Sequence, residues 1–249
     1  MKIISWNVWS ENTSFSQVTS FISKQNADVI CLQEVSKKLL RRLQKIPKHT
    51  IVSAIDCYFV KSKRKKIPYF LVILSKLPIV VHQPFSIPTV QYESIVSQIL
   101  GLEECIEGQY IDIMQKEKKI RIFNVHFQSY VRPRIRLGQF ESVVSQFSDV
   151  SKNIICGDFN TFGFWHFNMV VGWIYNYSWE EFFMDEKSSL EGMLKNITTE
   201  ARLQKTYRNN SEPCNWKSPQ RIHISLESES REGAQARLQG SYKVINRVG

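Results

Sequence analysis

Four short apolar runs, each carrying a polar group at or near its end, constrain this chain more than any other feature. They are ISWNVW (4–9), ICLQEV (30–35), IFNVHF (122–127) and IICGDFN (154–160). Apolar runs of this length without helical spacing predict strands buried on both faces. Such strands need packed material on each side, so the chain must build a layered fold.

Helices are predicted between these strands, and further strands complete the pattern. Three segments have helical spacing of apolar residues: 14–26, 36–46 and 134–148. Further strands are predicted at about 50–60 and 68–75, in the continuation of ILSKLPIV, and in YIDIM and KKIRIFNVHF around the turn QKEKK, the last of them ending at His126. Two batches of strands, each followed by helices, predict an α+β chain of two packed sheets covered outside by helices. With 249 residues and no visible linker or repeat, a single domain over 1–249 is expected.

Composition limits the partners and the compartment. The net charge of +10 and a pI near 9.4 favour polyanionic partners, namely nucleic acid, phosphorylated small molecules or anionic lipid. The five cysteines contain no CxxC pair, which favours reduced thiols. The N-terminus lacks a signal-peptide pattern, and no window is apolar enough for a membrane span, so a cytoplasmic protein is predicted. The protein is also expected to be a monomer.

Five motifs in a fixed order carry a resemblance to a known family. They are WN at Trp6-Asn7, QE at Gln33-Glu34, ILSKLPI at 73–79, NVH at 124–126 and GDFN at 157–160. Each is a common turn by itself, but together, over about residues 1–160, they resemble the endonuclease/exonuclease/phosphatase superfamily of deoxyribonuclease I-like phosphoesterases. The resemblance implies a four-layer α-β-β-α sandwich of two mainly antiparallel sheets, with its site where the sheets meet at one end.

The same resemblance implies a role for each matched residue. Glu34 would coordinate Mg²⁺ or Mn²⁺, and Asn7 would support that metal or a phosphate oxygen. Asp158 would orient or deprotonate the attacking water, Asn160 would hold a phosphate oxygen, and His126 would contact the phosphate or help to protonate the leaving group. Arg136, in an R-x-x-Q spacing with Gln139, is a further candidate for phosphate binding.

The residue types agree with this chemistry independently of the family. Carboxylate and amide oxygens suit a hard cation better than zinc, so Mg²⁺ is the expected cofactor, with Mn²⁺ as the alternative. The implied activity is a Mg²⁺-dependent phosphodiesterase, with nucleic acid as the leading substrate class. A lipid or small-molecule phosphoester remains open, as does a catalytically impaired protein that binds phosphate or nucleic acid on the same fold.

Three segments bear on the substrate. The stretch from Phe162 to Phe183 is strongly aromatic and predicts a stacking platform for bases, a membrane-facing loop or simply core packing. The basic run 61–66 and the series Arg132, Arg134 and Arg136 are either a track for a phosphate backbone or an ordinary solvated surface.

The C-terminal part departs from the family pattern. The superfamily's site is normally completed by an Arg-Ile-Asp-like strand and a later Asp-His pair, yet no aspartate follows Asp185. Arg221-Ile222-His223 is the nearest match, so His223 is a candidate for substrate binding, and the family-like part extends to about 224. The atypical tail at 225–249 has three explanations: a shifted reading frame near residue 217, a replaced tail, or an enzyme that has degenerated to a binding protein.

Overall fold

A computed structural model describes residues 1–62, 65–90, 106–129, 131–147, 152–160, 172–173, 177–185, 188–190, 192–193, 223–224 and 242–245. Its strands are β1 (Ile3–Asn7), β2 (Val29–Ser36), β3 (Thr50–Ser62), β4 (Lys65–Ser75), β5 (Ile79–Ser86), β6 (Glu107–Gln115), β7 (Lys118–His126), β8 (Lys152–Asp158), β9 (His223–Ile224) and β10 (Tyr242–Ile245). Its helices are α1 (Phe15–Gln25), α2 (Lys37–Leu43), α3 (Pro133–Val144) and the short α4 (Trp179–Phe182).

The strands form two five-stranded sheets among the described residues. The first sheet has the order β10-β1-β2-β4-β3 and the second the order β5-β6-β7-β8-β9. Each sheet is mixed, because β1 runs parallel to β2 and β7 runs parallel to β8 while their outer neighbours β10, β4 and β6 are antiparallel. The sheets were expected to be mainly antiparallel. The structure differs at the central pairs β1–β2 and β7–β8, whose strands carry the polar ends and run parallel.

Alternating side chains on the central strands separate three apolar layers. Ile4 on β1 packs with α1 and α2, whereas its neighbour Ile3 packs against the second sheet. On β8, Ile154 faces the first sheet and Ile155 faces the layer that contains Phe140 of α3. Period-two alternation between two buried layers explains why these strands read as continuous apolar runs. The α-β-β-α sandwich and the α+β class are confirmed.

The hairpins follow local sequence signals. The turn between β6 and β7 uses Lys116 and Glu117, both with positive φ, in agreement with the predicted QKEKK turn. The β3–β4 hairpin extends to Ser62 and Lys65, beyond the predicted ends. Residues 63–64 of its basic tip lie outside the described residues, as do most of the tail and most of the aromatic stretch.

The described parts of the C-terminal region add strands at the sheet edges. The strand β10, formed by the run YKVI of the atypical tail, pairs antiparallel with β1, and β9 pairs in parallel with β8. Within the described chain, no helix is long and apolar enough to cross a membrane.

Candidate active site

Asn7 joins the two sheets at the edge where four of the polar strand ends meet. Its Nδ2 donates to Glu34 Oε1 at 2.9 Å and to Asp158 Oδ2 at 2.9 Å. Glu34 belongs to the first sheet and Asp158 ends β8 of the second. The structure therefore brings together three residues that lie far apart in sequence, at the carboxyl ends of parallel strands.

Parallel pairing places these residues at one level. Asn7 lies opposite Gln33 in the β1–β2 register, and His126 lies opposite Asp158 in the β7–β8 register. Beneath them, Gln33 Nε2 donates to Asn124 Oδ1 at 2.6 Å, and Asn124 Nδ2 donates to the carbonyl oxygens of Leu32 and Val72. These buried bonds cross from one sheet to the other and set the distance between them.

Glu34 is aimed by a β-bulge. The register between β2 and β4 shifts between Leu32 and Val35, and Glu34 has a left-handed φ of 57°. Its backbone N donates to Asp56 Oδ2 at 2.7 Å, and its Oε2 accepts from Ser10 N at 2.7 Å. Bulges commonly re-aim a side chain near functional sites, and this one turns the carboxylate toward Asn7.

His126 is held between carboxylates. Its Nδ1 donates to Asp56 Oδ1 at 2.9 Å, and its Nε2 lies 3.8 Å from Glu34 Oε1. Burial lowers the pKa of His126, but Asp56, together with Asp158 and Glu34, raises it to about 10. In this arrangement the ring is an imidazolium at neutral pH, with its Nε2 proton available to an anionic oxygen.

The turn after β8 fixes Asp158 and Asn160. Asp158 Oδ1 accepts from Asn160 N at 3.0 Å, and Asn160, at a left-handed φ of 48°, donates from Nδ2 to the carbonyl oxygen of Phe127 at 2.7 Å. Gly157 precedes them with a φ of 150°, and a Cβ there would lie 1.9 Å from the carbonyl oxygen of Val125. Close approach of β7 and β8 therefore requires glycine at this position.

Two candidates from the sequence lie apart from this arrangement. Arg136 is on α3 with 1% of its surface exposed, and its Nη1 donates to the carbonyl oxygen of Val131 at 2.6 Å. His223 pairs with Ile154, near the start of β8, whereas Asp158 ends that strand. The role of each in substrate binding stays a prediction.

Asp56 is the site residue that sequence reasoning missed. It is fully buried on β3 and contacts both Glu34 and His126. The register between β3 and β4 shifts between Ile55 and Cys57, so Asp56 itself lies in an irregularity of the strand. A lone carboxylate inside the apolar run of β3 was the available signal.

The family comparison decides the identity of this fold. A family model described as the Endonuclease/Exonuclease/phosphatase family matches residues 4–180, well over half of the chain. The chain belongs to the endonuclease/exonuclease/phosphatase family. Members of this family are hydrolytic phosphoesterases that in general depend on a divalent metal. No curated protein matches the sequence.

Solved structures of the endonuclease/exonuclease/phosphatase fold are similar at low identity. A family protein from Beutenbergia cavernae is 13% identical with a TM-score of 0.52, over 66% of this chain and 48% of that chain. A D. rerio TDP2 humanized by 14 mutations is 18% identical with a TM-score of 0.49, over 69% of this chain and 70% of that one. The human Nocturnin catalytic domain is 15% identical with a TM-score of 0.44, over 64% of each chain. At these identities the likeness concerns the fold alone.

The donor set fits a magnesium-like cation of the kind that family members use. No group of three His, Cys, Asp or Glu side chains among the described residues is arranged to hold a metal by itself. Mg²⁺, however, is usually bound by one or two carboxylates, with waters and substrate phosphates completing its shell. Glu34, whose side chain is 14% exposed beside Asn7 and Asp158, provides such a carboxylate.

Proposed function

We propose that this protein is a Mg²⁺-dependent phosphodiesterase that hydrolyses nucleic acid. The observation that carries the proposal is the junction of the two sheets, where Asn7 bonds both Glu34 and Asp158. His126 lies across from Glu34 at 3.8 Å. An acidic metal ligand, a second carboxylate and a protonated histidine within one junction are the groups that hydrolysis of a phosphodiester requires.

Each residue has a distinct task in the proposed reaction. Glu34 would hold the cation, which supplies neutralisation of charge on the phosphate when bound. Asp158, with both oxygens fixed by Asn7 and Asn160, would orient the attacking water and accept its proton. His126 would donate its Nε2 proton to a phosphate or leaving-group oxygen, while Asp56 keeps Nδ1 protonated. A monomer is the proposed active unit, and the tasks assigned above need no residue from a second copy.

The overall charge supports nucleic acid as the substrate. A net charge of +10 attracts a polyanion and raises its association rate, and a ligand with a single phosphate gains less from it. This attraction acts at long range, in addition to the contacts that the site itself would make with one phosphate group.

A lipid phosphoester is a second candidate, favoured by exposed aromatic side chains near α4. Trp173, Trp179 and Phe183 are 77%, 74% and 60% exposed, whereas Tyr177 and Phe182 beside them are buried. Exposed tryptophan and phenylalanine side chains are typical of surfaces that enter a membrane interface.

A side-by-side assay tests the proposal. DNA, RNA and a lysophospholipid are incubated with the purified chain in Mg²⁺ at one salt concentration, alongside Asp158→Asn. We expect cleavage of a nucleic acid and a loss of about 10²–10⁴-fold in Asp158→Asn, the usual effect of removing a general base. Glu117→Gln, an exposed carboxylate in the β6–β7 turn, is the matched control and should keep full activity.

Two results would redirect the proposal. Preferential hydrolysis of the lysophospholipid would assign the site to a lipid substrate. Tight binding of nucleic acid without turnover would identify a binding protein, in keeping with the absence of an aspartate after Asp185.

A further inference from the structure

Trp9, which follows strand β1, is exposed, whereas Trp6 within that strand is buried. Trp6, three positions earlier, is fully buried and packs edge-on against Phe21 at 5.0 Å between ring centroids. Trp9 lies beyond the end of β1 and is 41% exposed. Its indole is therefore partly exposed two positions after Asn7, the residue at which the two sheets meet.

The backbone around Trp9 is held by the candidate site itself. Trp9 N donates to Asn7 Oδ1 at 2.9 Å, and the next amide, Ser10 N, donates to Glu34 Oε2 at 2.7 Å. The carbonyl oxygen of Trp9 accepts from Asn12 N at 3.0 Å, and that of Val8 accepts from Asn12 Nδ2 at 3.1 Å. The side chains of Asn7 and Glu34 therefore also hold the backbone that carries this ring.

The conformation of Trp9 is one that a bulky residue rarely adopts. Its φ is 62°, in the left-handed region that glycine or asparagine occupies readily and tryptophan does not. A bulky, partly exposed side chain kept in such a conformation at a site edge points to a function. The bonds from Asn7 and Glu34 supply the constraint that keeps it there.

We infer that Trp9 is a stacking surface for an unpaired nucleobase next to the junction of Asn7, Glu34 and Asp158, where the substrate phosphate lies in the proposed function. This inference rests on the proposed function and specifies its substrate as a single-stranded or locally unpaired nucleic acid. A planar indole binds the face of any base, so the contact favours bases without selecting one sequence. The alternative ligand for an exposed tryptophan is a quaternary ammonium group. The net charge of +10 opposes a cationic ligand and attracts a polyanion.

Binding of two oligonucleotides that differ only in their bases tests the inference. One is a labelled single-stranded DNA, and the other has the same phosphates with every base replaced by an abasic residue. Affinities are measured in Mg²⁺ in an Asp158→Asn background, so that cleavage does not interfere. The background protein is expected to prefer the base-containing strand by about 5- to 150-fold, the contribution of one stacked base.

Substitutions at Trp9 should remove that preference. Trp9→Gly and Trp9→Asn lack the ring but suit a left-handed φ, so both should fold and bind the two strands about equally. Trp9→Phe should retain most of the preference. Met114→Ala removes an equally exposed apolar side chain, 41%, from the far end of β6, and should leave the preference unchanged.

The outcomes separate this inference from the proposed function. Equal affinity of the background protein for both strands overturns it, as does an undiminished preference in both ring-less variants. Trp9-dependent binding of glycerophosphocholine without a preference for bases would overturn it in favour of a cationic headgroup. Whether the wild-type chain cleaves DNA is read separately on a gel, so absent cleavage contradicts the proposed function and leaves the binding comparison intact.

Discussion

Asp56 supports two functional side chains at once. One of its carboxylate oxygens accepts from the backbone of Glu34 and the other from the ring of His126. An asparagine in its place has only one accepting oxygen, so either the bond to the Glu34 backbone or the bond to the His126 ring is lost. We expect Asp56→Asn to lower kcat for phosphodiester hydrolysis by about 10- to 100-fold, as is usual for partners that orient metal ligands.

Asp112→Asn is a matched control for this variant. Asp112 is also fully buried, but it lies on β6 and pairs with Arg121. The folded fraction of Asp112→Asn should have the same kcat as the wild-type protein. Equal losses of kcat in the two variants would contradict a specific role for Asp56.

Gly157 permits the close contact between β7 and β8 that precedes Asp158. Any Cβ would overlap the carbonyl oxygen of Val125, and the φ of 150° disfavours other residues. We expect Gly157→Ala to reduce the free energy of unfolding by about 1–3 kcal/mol, the usual cost of overpacking, and to displace Asp158. Denaturant unfolding measures the first effect, and cleavage per folded molecule measures the second. An unchanged free energy of unfolding in Gly157→Ala would refute the steric argument. Gly138→Ala is the control, because a Cβ at Gly138 meets open space.

The polar residues near the strand ends were predictable from the sequence, but the residues that hold them in place were not. Asn7, Glu34, His126 and Asp158 stand out because a polar group near the end of an apolar run is visible in one dimension. Asp56 comes from a neighbouring strand through an irregular register, and no local spacing links it to His126, some seventy positions away. The positive φ of Glu34 likewise depends on pairing with β4 and Asp56.

At the scale of elements, a salt bridge ties β6 and β7 to the end of α3. Arg121 donates to both oxygens of Asp112, stacks over the ring of Tyr110, and donates to the carbonyl oxygen of Gln146 just after the helix. Burial raises the pKa of Asp112, but hydrogen bonds from Arg121 and Lys119 outweigh it and hold that pKa below its ordinary value. The carboxylate therefore stays ionised while its strands are paired.

This pair makes stability depend on pH in a definite direction. Because the native pKa of Asp112 is lowered, its contribution is complete above the unfolded pKa of about 3.9 and is lost as the pH falls through the native value. Asp112→Asn should reduce the free energy of unfolding by about 3–5 kcal/mol at neutral pH, since it leaves Arg121 without its buried partner. The difference from wild type should shrink in acid. A difference that stays constant across this range would argue against the ionised pair.

The elements themselves were largely predictable, with errors at their ends. The apolar spacing of α1 and α2 and the alternation of β6 and β7 are local properties, so the sequence contains them. Helix α3 ends at Val144, before the predicted 148. The two-residue strand β9 exists only through pairing with β8, and such a partner cannot be read from a segment by itself.

At the scale of the molecule, the positive charge predicts a dependence on salt. If the substrate is a polyanion, its KM should rise steeply with salt, because binding releases counterions from several phosphates. A small phosphodiester with one charge should change little, which makes it an internal control measured with the same enzyme. Equal salt dependence for both substrates would contradict electrostatic recruitment of nucleic acid.

The layered architecture followed from the sequence because strands buried on both faces leave few alternatives. The meeting of the two sheets at Asn7 could be expected only through the family resemblance, since it depends on long-range packing. The buried bonds from Gln33 to Asn124 and from Asn124 to Leu32 join the two sheets beneath the site, next to the apolar layer between them, and they have no local signature.

Metal-dependent hydrolysis by Glu34→Gln tests the central claim most directly. The wild-type chain should cleave its phosphodiester in Mg²⁺, lose activity in EDTA and regain it when the metal is restored. Glu34→Gln keeps the shape of the side chain but lacks its charge, so it should need at least about 10- to 100-fold more Mg²⁺ for half-maximal rate, the usual effect of losing only an outer partner of a ligand, or be inactive. Full activity of the wild-type chain in EDTA, or an unchanged Mg²⁺ requirement in Glu34→Gln, would contradict a metal and phosphate site at the junction of the sheets.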